Sequence, residues 1–118
     1  MQHQVNKRKL NLKAPHRVAL IRNQAILFIE KGHLTSTKAQ VREVRRFVEK
    51  LVTLARVGND FNTRRRTKAL LPYKPEALDQ LIETIAPRYV NRPGGYTRII
   101  PMGRRASDTA EIARLEWV

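Results

Sequence analysis

The sequence contains no cysteine, which excludes disulfides, thiol catalysis and cysteine-ligated zinc. Its three histidines, His3, His16 and His33, are too scattered to build a metal cluster, and no cofactor-binding pattern stands in their place. No apolar run approaches the roughly 20 residues that a membrane helix needs. The opening residues carry cations without an apolar core, unlike a secretory signal. Neither an internal repeat nor a low-complexity tract is present. Acids are scarce: ten Asp and Glu in all, and none before Glu30. They fall mostly one per helical turn on solvated faces, whereas an enzyme needs titratable groups converging on a pocket. Without a nucleophile, a glycine-rich phosphate loop or metal-ligand spacing, neither catalysis nor a small-molecule substrate is expected.

The chain is rich in cations. Against the ten acids stand 24 Lys and Arg, a formal net charge of +14 on 118 residues. Apolar residues make up 42%, enough for one globular domain with a modest core. Such an imbalance repels itself until something binds it, so the natural partner is a polyanion. A membrane surface is a polyanion too. No long helix, however, sets a clean basic face against bulky lipid-seeking residues, and no membrane partner is expected.

Residues 1–15 read as a basic N-terminal arm with Lys7, Arg8, Lys9 and Lys13, extended at least where Ala14 precedes Pro15. Such an arm either frays in solvent or orders on its partner; Leu10 and Leu12 beside the cations argue for ordering. Residues 16–118 form the domain. The stretch His16–Gly32 places Val18, Ile21, Ala25, Phe28, Ile29 and Gly32 on one helical stripe, with Leu20 and Leu27 almost opposite. A helix apolar most of the way round belongs at the centre of a domain. Its start carries His16, Arg17, Arg22 and Asn23. Arg22 projects into the apolar surface, either as a stem with its head in water or as a guanidinium pre-set for a phosphate. The rest of the chain favours the phosphate.

After Gly32, His33-Leu34-Thr35 suits a short extended piece, and Thr37 with Gln40 reads as a capping box. The helix so opened runs to about Arg56 on Val41, Val44, Val48, Leu51, Val52 and Ala55. Its mixed outer face includes Arg45–Glu49, an ordinary helical pair, and leaves Arg42 and Arg46 as secondary contacts. Asn59 or Asp60 caps a third helix bearing Arg64-Arg65-Arg66-Thr67-Lys68, of whose three arginines at most two meet one surface. A fourth helix opens at Pro75, buries Leu78, Leu81, Ile82 and Ile85, and stops at Pro87.

The last third joins Arg92-Pro93-Gly94-Gly95 to Tyr96 and Arg98. Gly94 and Gly95 permit positive φ and close approach of another backbone. Tyr96–Ile100 and Ile112–Val118 read as strands of a hairpin, with a loop at Met102–Thr109 and Arg104 and Arg105 at its tip; Ala113, Leu115 and Trp117 face in. Tyr89 and Tyr96 either stack on bases or pack the hairpin. Cations dispersed over irregular segments suit a folded RNA gripped through phosphate and sugar. One flat basic helix would instead suggest duplex DNA, and a DNA-binding or nucleoid-associated protein is the alternative. The candidate contacts from this reading are Lys13, Arg64, Arg65, Arg92, Gly94, Gly95, Arg104 and Arg105.

Three segments resemble one known family. HRVALIRNQ at His16–Gln24, the Thr-rich Thr35-Ser36-Thr37 and APRYVNRPGGYTRII at Ala86–Ile100 are similar to the bacterial-type large-subunit ribosomal protein seventeen family. The likeness runs through essentially the whole chain, and the Arg92–Arg98 core is its specific signature. It implies an α+β, two-layer domain in the order α-β-α-α-α-β-β with a C-terminal β-hairpin. It further implies a structural constituent of the large subunit, near the polypeptide exit, with large-subunit rRNA and neighbouring ribosomal proteins as partners. Carried over by position, the RNA contacts include Lys7, Arg8, Lys9, His16, Arg17, Arg22, Asn23, Tyr96 and Arg98. Three positions depart from the family pattern: Gln2 and Leu12 where arginines are usual, and Ser107 where the tip, Arg105-Ala106-Ser107-Asp108, usually has glycine. They resemble the looser pattern of mitochondrial members, so a mitochondrial ribosome is expected slightly ahead of one in the bacterial cytoplasm.

Overall fold

The computed structural model describes residues 13–72 and 74–118. In chain order they form α1 (Ala14–Lys31), β1 (His33–Thr37), α2 (Lys38–Ala55), α3 (Phe61–Leu70), α4 (Pro75–Gln80), β2 (Thr97–Arg104) and β3 (Glu111–Trp117). The α+β class and the α-β-α-α-α-β-β order are as expected. Most of the arm, with Lys7, Arg8 and Lys9, lies outside the described residues.

The helix that organises the domain is α2, not α1. Val41, Val44, Val48, Leu51 and Val52 are fully buried, and α2 touches α1, α3, all three strands and the turns after α4. In α1 only Ala25, Ile26, Phe28 and Ile29 are buried; Val18 and Leu27 are 46% and 43% exposed. Periodicity showed which positions are apolar, but no element lies over the outer face of α1 among the described residues. Its start also differs from expectation. Arg17 N–H donates to the Lys13 carbonyl at 2.9 Å, which draws Ala14 and Pro15 into the first turn, where a proline's missing N–H costs nothing. Gly32, at φ +83°, ends the helix by donating to the Phe28 carbonyl.

The capping box is not formed. Thr37 makes no side-chain cap, and the Gln40 Oε1 that would return the bond is taken by Ser36 Oγ at 2.6 Å and Gln24 Nε2 at 3.0 Å. Asp60 does cap α3, accepting from Thr63 N–H at 2.7 Å. The stripe of the fourth helix is buried as expected, but Pro87 does not stop it. The backbone widens to a π turn over Leu81–Ile85 and tightens to a 3-10 turn over Ala86–Tyr89. This change of winding carries the proline past a register in which its ring would meet the carbonyl four residues back.

The sheet is antiparallel in the order β1-β3-β2, so the expected hairpin gains β1 on the far side of β3. His33 pairs with Glu116 and Thr37 with Ile112; Thr97 pairs with Trp117 and Arg104 with Glu111. β2 therefore runs to Arg104, past the expected loop start at Met102, with an irregularity between Pro101 and Arg104 where an edge strand tolerates proline. One face of the sheet, with Leu34, Thr97, Ala113 and Leu115, packs on the helical layer. Trp117 stacks on Phe28 with ring centroids 4.4 Å apart, joining the central strand to α1.

Candidate nucleic-acid interface

At the start of α1, Lys13, His16 and Asn23 are exposed, while Arg17 and Arg22 are half-buried and each interacts within the fold. Two turns further the helix enters the core, so these groups sit on a rigid base.

The signature at Arg92–Arg98 is the best-organised cationic segment, and α2 holds it from within. The turn takes positive φ at Gly94 (+139°) and Gly95 (+64°), which a side chain would strain. Arg92 Nε donates to the Gly94 carbonyl at 3.2 Å. From the C-cap of α2, Arg56 Nη1 donates to the Arg92 carbonyl and reaches the Tyr96 hydroxyl at 3.2 Å. Glu49, expected only as the partner of Arg45, also accepts from Tyr96 N–H at 3.2 Å and from Thr97 Oγ1 at 3.3 Å. Neither Glu49 nor Arg56 could be found by spacing, since their partners lie about forty or more residues away in the chain.

Tyr96 does not belong among the contact residues. It is 1% exposed, its ring lies 5.2 Å from that of Tyr89, and its hydroxyl faces Thr53 and Arg56. Tyr89 is buried too, donating to the Val118 carbonyl at 2.9 Å; burial pushes its hydroxyl above the ordinary phenol pKa. Both tyrosines pack the fold. Arg92 and Arg98 remain at the surface beside them.

The other cations divide by their partners. Arg64 is held by Asp79 at 2.7 Å and Glu83 at 3.1 Å, and the Asp79 hydrogen bond raises its pKa. Arg65 and Lys68 are exposed on the same helix and make no ion pair among the described residues. Arg98 pairs with Glu116 at 3.1 Å and Arg104 with Glu111 at 3.3 Å. The Arg98 hydrogen bond lowers the Glu116 pKa, with Arg114 assisting. At the tip Arg105 grips Asp108 through Nε and Nη2, and with the Ala110 N–H holds that carboxyl down at about 2. Arg98 and Arg104 stand roughly 20 Å apart along one strand, so the cations form a spread surface rather than a single pocket. Exposed ion pairs of this kind contribute little to stability, and a phosphate can replace the carboxylate. Among the described residues, no three potential metal ligands come together, and no helix is long and apolar enough to cross a membrane.

The model of the family described as "Ribosomal protein L17" matches residues 20–118. Three proteins named "Large ribosomal subunit protein bL17" are similar from end to end. That of Gemmatimonas aurantiaca is 42% identical over 118 residues, all of this chain and 98% of its own. That of Campylobacter lari is 43% identical over all of this chain and 99% of its own, and that of Neorickettsia sennetsu 41% over the full length of both. With the expected element order and the signature turn in place, the chain belongs to the ribosomal protein L17 family.

Proposed function

We propose that the chain is a structural, non-catalytic constituent of the large ribosomal subunit that binds folded large-subunit rRNA near the polypeptide exit, beside neighbouring ribosomal proteins. The observation that carries this reading is the Arg92–Arg98 turn, buttressed by Arg56 and Glu49 so that two arginines stand preset at the surface. Groups fixed before binding lose little freedom when they meet a phosphate, and Gly94 and Gly95 leave the backbone bare for close approach. Lys7, Arg8, Lys9, Lys13, His16, Arg17, Arg22 and Asn23 supply a second contact region. Arg65, Arg104 and Arg105 supply outlying ones, and Arg64 serves mainly to tie α3 to α4. The net charge of +14 and the end-to-end likeness to proteins named for the large subunit support the same reading.

Gradient sedimentation of a lysate, with the chain detected in each fraction, tests it. The expected result is co-migration with large subunits that survives moderate salt; migration with chromosomal DNA would favour a nucleoid protein instead. Run on mitochondria and on bacterial cytoplasm, the same gradient fixes the compartment, for which the departures at Gln2, Leu12 and Ser107 favour an organelle.

A further inference from the structure

Phe61 opens α3 with its ring 78% exposed, the most exposed of the large apolar side chains among the described residues. A single exposed aromatic is ordinary on a protein surface, but this one lines a cleft with cations beside it. Arg65 and Lys68 follow four and seven residues later on the same helical stripe and are exposed as well. With Pro72 and Pro75 they line a cleft of about 430 Å³. The cleft's other charged residues, Arg64 and Asp79, neutralise each other at 2.7 Å, so its net charge comes from Arg65 and Lys68. Among the described residues the lining is thus the Phe61 ring, two prolines and two leucines, with Arg65 and Lys68 as cations beyond the Arg64–Asp79 pair.

We propose that this cleft between α3 and α4 receives one unpaired rRNA nucleotide, its base stacked on Phe61 and its flanking phosphates on Arg65 and Lys68. The inference rests on the ribosomal reading above and adds a site to it. An acidic peptide would satisfy the cations but leave the aromatic face unused. A base-paired helix would offer phosphates but no free base to stack. An extruded nucleotide brings a planar base and its flanking anions together in one unit, and the net charge of +14 favours a polyanion as its source.

The test places the photoreactive 4-benzoylphenylalanine at position 61 of the full chain and irradiates purified large subunits. The expected product is an adduct to a nucleotide that is unpaired in the rRNA secondary structure. Adducts to protein alone, to a base-paired helix, or none at all would overturn the site while leaving the ribosomal reading standing. Absence of the chain from the large-subunit peak would overturn both. As a second measure, Phe61→Leu keeps an apolar side chain but removes the π face. Protection of the same nucleotide from chemical modification should fall about tenfold with unchanged subunit content; undiminished protection would exclude stacking.

Discussion

Arg56 shows how much of the interface depends on a side chain that itself need not touch RNA. Replacing it with Met keeps the stem but leaves the Arg92 carbonyl without its donor. Thermal unfolding should show a loss of about 1 kcal/mol, the value of one such hydrogen bond. RNA affinity should fall by more than that loss accounts for, because the turn is no longer preset; a loss confined to stability would show that the buttress serves folding alone. Asp108 gives a second check. Its carboxyl is held at about 2 by Arg105 and the Ala110 N–H, so the fold favours the charged form. The tip's contribution is therefore fully present above the ordinary carboxylate pKa and is lost only as pH falls through about 2. An NMR titration of Asp108 should find its midpoint there, and a midpoint near 3.8 would mean that the pair does not persist in solution. At this scale the sequence was only partly legible. An aromatic beside a glycine turn reads equally as stacking or packing, and what decided Tyr96 was α2 lying beneath it.

Among the elements, those with strong periodicity were legible and those shaped by competition were not. The stripe of α2 and the in-facing residues of β3 matched because burial on one side imposes the period directly. The capping box failed because Gln40 has nearer partners from β1 and α1, and the π turn before Pro87 has no sequence signal of its own. The Gly-Gly turn was legible, and its geometry sharpens what a side chain would do. A β-carbon on Gly95 would meet only Arg92 Nη2, at 3.9 Å, so in the free chain Gly95→Val costs backbone strain rather than a clash. That strain is about 1–3 kcal/mol. Ile85→Val, buried away from the turn, costs a comparable amount, about 0.5–1.5 kcal/mol. Incorporation into large subunits should fall sharply for Gly95→Val and hardly for Ile85→Val. Equal incorporation would reduce the glycine to a folding requirement.

For the whole molecule, the dispersed charge predicts binding to folded rRNA that weakens steeply with salt, since each cationic segment releases counterions. Titrating salt against an rRNA fragment measures the slope, and a flat response would rule out an electrostatic grip. The dispersal itself was plain in the sequence. What was not plain is how many cations are already occupied by carboxylates, because pairs such as Arg64–Glu83 and Arg98–Glu116 join segments distant in the chain. Stability rests on β3, whose Leu115 is fully buried, so Leu115→Ala should cost about 2–5 kcal/mol and loosen both flanking strands together. The position of β3 also bears on how the protein is made. β1 and β2 never pair with each other, and the strand that joins them is the last of the three to be translated. A nascent chain can wind its helices as they emerge, but both edge strands wait with open hydrogen-bonding groups until residues 111–117 are free. During that interval a highly basic, half-assembled protein carries exposed strand edges, and a chaperone that shields them until β3 arrives would raise the yield of folded molecules without changing their final stability.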